Sequence, residues 1–331
     1  MNGTVLLRIM ALQLLGLLGC GTLADGGGGD QNLPSRGILG WTTLEAETDD
    51  QGAPLPDTLA PFVFVDSDVS VDDPFAIVVQ DSMWLFVTAT TTGGQVIWRT
   101  TSQDGQTFGE PTIVLEASLD WEGDSIRSPS IHLEDGLFVM WYLAGEGVLG
   151  HATSTDGTVW ERSQTPIFSP TSGQHISGPE VARNPTGFSL YYGSSERDQE
   201  RTLQSLGIAL ARSLDGIRWQ REGLVLTPET DCRSSEGILL RCWDESLVTA
   251  PAVVISQSPR GRPLVDLWYT GAVLENTGIG FAGSFTGESF SRYALNPVLA
   301  TDSAEANPTV ATLQTRTWMY FSAEWQGRRA I

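Results

Sequence analysis

The chain has 331 residues, of which 40% are hydrophobic and 18% charged, so it is long enough to bury a large core. Its formal net charge of −21 disfavours binding to nucleic acid or to anionic lipid headgroups through a basic patch. All 19 basic residues are arginine, which excludes chemistry that depends on a catalytic lysine.

The N-terminus has the form of an export signal. Within residues 1–19, a basic residue near the start precedes an apolar run at 9–18. Residues 17–20 (LLGC) resemble a bacterial lipobox, so we expect Cys20 to carry a lipid; an ordinary secretory signal is the alternative. Residues 20–36 contain four consecutive glycines and are predicted to be a flexible tether. The sequence therefore predicts an exported protein in the bacterial cell envelope, in the periplasm or at the cell surface, held at the membrane by its lipid only.

A pattern of three strands recurs along the rest of the chain. Between Ser128 and Trp160, a strand follows Ser-Pro, a turn leads into a second strand containing MWY, and a third strand runs into Thr-Asp-Gly. Strands with the same order open near residues 73, 128, 178, 250 and 307. Repeats of roughly 40 to 50 residues with about four strands each are typical of propeller blades. Residues 37–331 are therefore predicted to form one all-β domain, a five-bladed β-propeller of antiparallel strands.

The fifth repeat ends at Ile331, before its own outer strands. A propeller often closes when the N-terminal segment completes the last blade, because an unpaired edge is costly. Either residues 38–65 supply that strand or the sequence is truncated at its C-terminus, and the abrupt end favours truncation.

Period-two alternation predicts which side chains of the opening strands face the central channel. The residue two after each proline is apolar and is expected to pack between blades. The residues that flank each proline are expected at the channel mouth: Asp73, Phe75, Ser128, Ser130, Gly178, Glu180, Ala250, Ala252, Asn307 and Thr309. This set holds only two carboxylates.

Other recurring residues are assigned to structure. The motif Ser-x-Asp-Gly-x-x-aromatic contains Asp104, Asp156 and Asp215. Because blade four has Thr286 at this position, turn capping is favoured over catalysis. Most of the eleven tryptophans fall at repeat positions and are expected in the core, whereas Trp121 and Trp243, each shortly before an opening strand, are predicted to line a ligand-facing rim.

Two cysteines remain after Cys20. In an exported protein, Cys232 and Cys242 are expected to form a disulfide in the long connection between blades three and four; two free buried thiols are the alternative. Neither CxxC pairs nor a histidine cluster indicates zinc, and no cofactor is expected.

These strand-Pro, MWY-like and SxDGxxW segments resemble the five-bladed propellers of the glycoside hydrolase family 43 and family 32 superfamily, the arabinanase, xylosidase and invertase relatives. The resemblance spans residues 72–331 and implies three carboxylates at the channel mouth. Asp73 before Pro74 matches the first, but Ser128 and Ser177 stand where an Asp and a Glu are implied. A structural Ca²⁺ is possible in such folds, although no ligand motif indicates one here.

Glycoside hydrolysis requires one protonated and one ionised carboxyl. We assign Asp73 as the base that activates water, Glu180 as the acid, and Asp124 as a modulator that keeps the acid protonated. The alternatives are a loop cap for Asp73, a solvated rim residue for Glu180 and a surface acid for Asp124. Arg127 either holds a sugar hydroxyl or carboxylate or only pairs with an acid.

Two functions follow from these residues. The first is an exported glycosidase-like protein that hydrolyses or binds a glycan at the channel. The second is a non-catalytic propeller that binds glycan or protein with the same face. The predicted ligand-binding residues are Arg127, Ser128, Trp121, Trp243 and Asn307. We expect a monomer.

Overall fold

The computed structural model describes residues 9–12, 41–43 and 69–331, apart from 199, 201, 234–235, 259–260, 301–303 and 326–327. These residues form β-strands joined by turns and one 3₁₀ turn at Asp120–Glu122. Within them, no helix is long and apolar enough to span a membrane. Cys20 and the predicted tether lie outside the described residues.

Two strands, β1 (Ile9–Leu12) and β2 (Trp41–Thr43), precede the repeats, and four sheets of four consecutive antiparallel strands follow. The first sheet contains β3 (Ser70–Val79), β4 (Ser82–Thr91), β5 (Gly94–Ser102) and β6 (Thr112–Leu115). The second contains β7 (Ile126–Glu134), β8 (Leu137–Ala144), β9 (Val148–Ser154) and β10 (Glu161–Arg162). The third contains β11 (Gln174–Asn184), β12 (Gly187–Arg197), β13 (Leu203–Ser213) and β14 (Gln220–Leu226). After a short hairpin of β15 (Cys232–Arg233) and β16 (Leu239–Leu240), the fourth sheet contains β17 (Leu247–Gln257), β18 (Pro263–Val273), β19 (Asn276–Ser284) and β20 (Ser291–Arg292).

A further sheet combines the two ends of the chain. The fifth repeat contributes β21 (Ala306–Leu313), β22 (Arg316–Trp325) and β23 (Arg328–Ala330). Strand β1 pairs with β22, and β2 pairs with β1. Strand β1 comes from the apolar run that the sequence predicts as an export signal. The structure thus shows an all-β propeller with four complete blades, where the sequence predicted five.

The opening strands form a closed circuit of contacts, from β3 through β7, β11, β17 and β21 back to β3. The hydrophobic core lies between neighbouring sheets, because each sheet buries its apolar side chains against the next. Aromatic side chains of the second strands also donate hydrogen bonds to the glycine carbonyl in the turn after the third strand of the next sheet. These are Trp141 Nε1 to Gly216 (2.7 Å), Tyr191 Oη to Gly287 (3.1 Å) and Tyr320 Oη to Gly105 (2.9 Å).

The repeated aspartates cap these turns. In the first sheet, Asp104 Oδ1 accepts backbone N–H groups from Gln106 (2.8 Å) and Thr107 (2.7 Å), and Ser102 Oγ accepts the N–H of Gly105. Asp156 and Asp215 accept the equivalent pairs of N–H groups. The structural role predicted for this motif is confirmed.

The connection from β14 to β17 carries an insertion closed by a disulfide between Cys232 and Cys242. The shorter connection from β6 to β7 has no such hairpin. Leu239 and Leu240 on the inserted hairpin are 61% and 50% exposed.

Each opening strand is interrupted at its proline by a β-bulge. Proline has no N–H to donate to the ladder, so a bulge accommodates it. The residue before each proline has a positive φ, between 46° and 51°, which is strained for any residue except glycine. Five bulges therefore meet where the opening strands come together, and four of them hold a residue other than glycine at this position.

Candidate functional site

The five bulges line one depression of about 320 Å³, a volume that includes space open to solvent. Its lining consists of the five X-Pro pairs, Asp73-Pro74, Ser128-Pro129, Gly178-Pro179, Ala250-Pro251 and Asn307-Pro308, together with Phe75 and Glu180. The prediction that residues before the prolines share one mouth agrees with this lining.

The residues after the prolines behave differently from the prediction. Only Phe75 and Glu180 line the depression, because the bulge breaks the period-two alternation. Ser130 Oγ instead accepts the N–H of Val181 (2.9 Å), and Thr309 Oγ1 accepts the N–H of Ala76 (3.1 Å). These two hydroxyls tie β7 to β11 and β21 to β3.

Asp73 is half-buried and is held by side chains from three sheets. Its Oδ2 accepts hydrogen bonds from Ser128 Oγ (2.8 Å) and Thr88 Oγ1 (3.1 Å), and its Oδ1 accepts one from Asn307 Nδ2 (2.9 Å). Burial and the adjacent charge of Asp72 raise the pKa of Asp73 to about 6, although these hydroxyls and the nearby Arg127 act in the opposite direction. Asp73 is therefore mostly ionised at pH 7 and takes up a proton just below it.

Glu180 is also half-buried, and its carboxylate accepts the backbone N–H of Val253 in the fourth sheet. Burial raises the pKa of Glu180 to about 8, and this single hydrogen bond lowers it only in part. Glu180 is therefore mostly protonated at pH 7. One depression thus contains a carboxyl that is mostly ionised and another that is mostly protonated at neutral pH.

Asp72 was not proposed from the sequence, although it directly precedes Asp73. It accepts hydrogen bonds from Asn307 Nδ2 (2.7 Å) and Ser322 Oγ, and it pairs with Arg329 (3.4 Å). Asp124, the predicted modulator, is exposed and does not line the depression. The structure therefore does not bring Asp124 together with Asp73 and Glu180. The neighbouring carboxylate that helps burial to raise the pKa of Asp73 is Asp72.

Of the predicted ligand-binding residues, Ser128 and Asn307 line the depression and bind Asp73. Arg127 lies next to Ser128 at the edge of the depression, and its Nη1 donates hydrogen bonds to Ser125 Oγ (2.8 Å) and the carbonyl of Gly145 (3.1 Å). Trp121 and Trp243 do not form a rim. Trp121 stacks on Tyr142 and Trp243 packs at a tilted angle against Tyr269, at the edges of two core clusters.

The residue after each of these tryptophans is a buried acid that was not predicted from the sequence. Glu122 is fully buried and accepts bonds from Tyr142 Oη (2.7 Å) and Arg162 Nη1 (3.0 Å). Asp244 is equally buried and accepts bonds from Tyr269 Oη (3.0 Å) and Arg292 Nε (2.8 Å). We call each of these clusters, a buried acid bound by a tyrosine and an arginine, a clamp. The two clamps hold the connections that lead into β7 and β17. The recurrence of an acid after Trp, ahead of an opening strand, was the available signal.

One group of described residues has the composition of a metal site: Glu229, Cys232 and Cys242. Both sulfurs are joined in the disulfide, so neither is available as a thiolate ligand.

No protein-family model matches the chain. A curated relative, the 1,2-beta-oligomannan phosphorylase of Thermoanaerobacter sp. (strain X514), is 27% identical over 128 residues, which cover 35% of this chain and 43% of the relative. The match therefore spans less than half of the relative's length.

Solved structures resemble the chain over most of its length. A complex of BT0996 with RGII matches with a TM-score of 0.62 and 14% identity, over 82% of this chain and 87% of that one. A thermostable family-43 glycoside hydrolase matches with a TM-score of 0.59 and 15% identity, over 80% and 93%. An exo-1,5-alpha-L-arabinanase from a bovine ruminal metagenomic library matches with a TM-score of 0.52 and 12% identity, over 79% and 92%. At these identities the likeness establishes a glycoside hydrolase-like propeller fold.

Proposed function

We propose that this chain is an exported, lipid-anchored propeller that acts on a glycan at the depression, and that β21, β22 and β23 close the ring as a fifth blade, since signal cleavage before Cys20 would remove β1. The closed circuit of opening strands supports the blade count. The names of the structural neighbours and of the phosphorylase relative support a carbohydrate ligand. Export and lipidation rest on the N-terminal sequence alone.

The proposed reaction is glycoside hydrolysis, with Glu180 as acid and Asp73 as base. The observation that carries it is that both carboxyls line one depression with pKa values of about 8 and about 6. At neutral pH, Glu180 holds the proton that the leaving oxygen requires, while Asp73 is ionised and able to activate water. Burial, rather than the predicted Asp124, keeps the acid Glu180 protonated; burial and the charge of Asp72 raise the pKa of the base Asp73.

A second candidate, a non-catalytic glycan- or protein-binding propeller, is favoured by a different observation. Asp73 already accepts three hydrogen bonds from protein side chains, and Glu180 accepts the N–H of Val253, as structural residues do. Ser128 and Ser177 also occupy the positions of two carboxylates implied by the family resemblance.

A panel of aryl-glycosides and a glycan array test both candidates on the purified full chain. Each assay is run with and without inorganic phosphate, so that phosphorolysis and hydrolysis are separated. Asp73→Asn and Glu180→Gln are expected to abolish turnover while ligand binding persists, and Asp124→Asn serves as a control with full activity. Binding without turnover in the unmodified chain would favour the second candidate, and neither binding nor turnover would refute the proposal.

A further inference from the structure

The last paired residue before each bulge occupies the same place in all five opening strands. We call these five positions the rim: Asp72, Arg127, Ser177, Thr249 and Ala306. Each lies next to a residue that lines the depression. The rim is asymmetric, because an acid occupies one position, and the three positions that follow it in order of the blades carry only side chains able to donate hydrogen bonds.

Arg127 differs from three other arginines that lie beside buried or half-buried acids. Arg162, Arg292 and Arg329 each pair with a carboxylate within 4.0 Å. The half-buried Arg127 has no such ion pair among the residues that the structure describes, and its guanidinium is bonded to Ser125 Oγ and the Gly145 carbonyl, both through Nη1. Burial lowers the pKa of Arg127 and the nearby charge of Asp73 opposes that shift, but the oxygens of Asp73 are bound by Thr88, Ser128 and Asn307.

A half-buried guanidinium without a contacting carboxylate is energetically unfavourable. The chain has 40 acidic residues, yet none that the structure describes pairs with Arg127. Partial burial removes water from the guanidinium, and no contacting acid offsets that loss. Fixing Nη1 to Ser125 and Gly145 orients the planar group, and no residue in the described part of the chain bonds Nε or Nη2, which leaves both for another partner. Such a preorganised fork matches the two oxygens of a carboxylate or phosphate.

The neighbouring rim positions extend this donor set. A Cβ on Gly147 would lie 3.5 Å from the carbonyl of Ile176 and 4.0 Å from Arg127 Nη2, so the guanidinium and the residue before Ser177 both lie beside this glycine. Ser177 is exposed, and its hydroxyl contacts that of Thr249 at 2.7 Å. Only one of these two hydroxyls donates to the other, so the pair keeps a proton for a ligand.

We propose that Arg127, Ser177 and Thr249 bind an oxyanion of the ligand at the edge of the depression. The oxyanion is either the carboxylate of an acidic sugar or inorganic phosphate. This inference rests on the proposed glycan-acting function and narrows its substrate class. Arg127 provides the charge and the two-pronged geometry, and the hydroxyl pair provides a neutral donor from the adjacent blades.

Isothermal titration calorimetry on the full chain tests the proposal at fixed ionic strength in chloride. Galacturonate and glucuronate are compared with galactose and glucose in one arm, and sodium phosphate is titrated in the other. We expect an anion to bind and the neutral sugars to bind much more weakly. Binding of a uronate alone identifies an acidic sugar, and binding of phosphate alone identifies phosphate.

Variants locate the site. Arg127→Met should weaken anion binding by about tenfold to a hundredfold, Arg127→Lys by less, and the Ser177→Ala/Thr249→Ala double variant by roughly threefold to tenfold. Arg218→Met, at an exposed turn, is the matched control and should bind as the unmodified chain does. The double variant keeps the test decisive if Arg127→Met fails to fold.

The proposal is overturned if neither anion binds, if neutral and acidic sugars bind equally, or if binding is unchanged in both Arg127→Met and the double variant. Its failure is distinguishable from failure of the proposed function. Hydrolysis of neutral aryl-glycosides without anion binding would refute the oxyanion site alone. Anion binding that depends on Arg127, without any hydrolysis, would refute the hydrolytic reaction alone.

Discussion

Glu180→Gln should make stability less dependent on pH. The folded-state pKa of Glu180 is about 8, against an ordinary value of 4.5. Because this acid has a raised pKa in the folded state, folding takes up a proton, and stability falls as pH rises from about 4.5 to about 8. The full shift corresponds to about 5 kcal/mol, and since the side chain is only half-buried we expect about 2 to 5 kcal/mol. Glutamine removes this loss while its amide oxygen still accepts the N–H of Val253.

Urea unfolding at pH 4, 6, 8 and 9 measures the effect, because the midpoint and slope give the free energy of unfolding at each pH. Near pH 4 the variant and the unmodified chain should be about equally stable, and at pH 8 the variant should be more stable by the amount above. The exposed Asp124→Asn variant controls for general charge effects and should give a constant difference. Parallel stability curves for Glu180→Gln and the unmodified chain would show that Glu180 ionises normally, and would remove it as the acid.

Three further predictions concern other parts of the chain. Glu122→Ala should lower the free energy of unfolding by roughly 3–5 kcal/mol in urea unfolding, because it leaves Arg162 with an uncompensated, largely buried charge; a loss below 1 kcal/mol would contradict the clamp. Replacing Cys232 and Cys242 by serine should make the inserted hairpin more susceptible to proteolysis while the propeller itself stays folded, since the disulfide closes only this insertion; unchanged cleavage rates would show that the hairpin is rigid without it. Mass spectrometry of the membrane fraction should detect an acylated N-terminal Cys20, and an unprocessed N-terminus would contradict the predicted lipoprotein signal.

Much of the fold could be predicted from sequence because each blade repeats one local pattern. The predicted openings near residues 73, 128, 178 and 250 fall within β3, β7, β11 and β17, since Pro followed by apolar residues marks each strand. The composition of the fifth sheet could not be predicted. Pairing of β1 with β22 joins residues more than 300 positions apart, and no local pattern specifies that register.

The site was predictable only in part, because its geometry depends on the bulges. Period-two alternation predicted Asp73 and Asn307 at the channel mouth, and both line the depression. The bulge adds a residue to each strand, so Ser130 and Thr309 instead make contacts between sheets. The role predicted for Asp124 rested on its negative charge. Two residues away, Glu122 is the buried acid, because Tyr142 and Arg162 approach it from strands that lie far along the chain.

The pH dependence of kcat/KM on a hydrolysed glycoside is the most direct test of the proposed acid pair. We expect a bell-shaped profile with limbs near pH 6 and pH 8, because activity requires Asp73 ionised and Glu180 protonated. Asp73→Asn should abolish the activity. A profile that is flat from pH 5 to 9, or full hydrolysis by Asp73→Asn, would contradict the assignment of these two carboxyls.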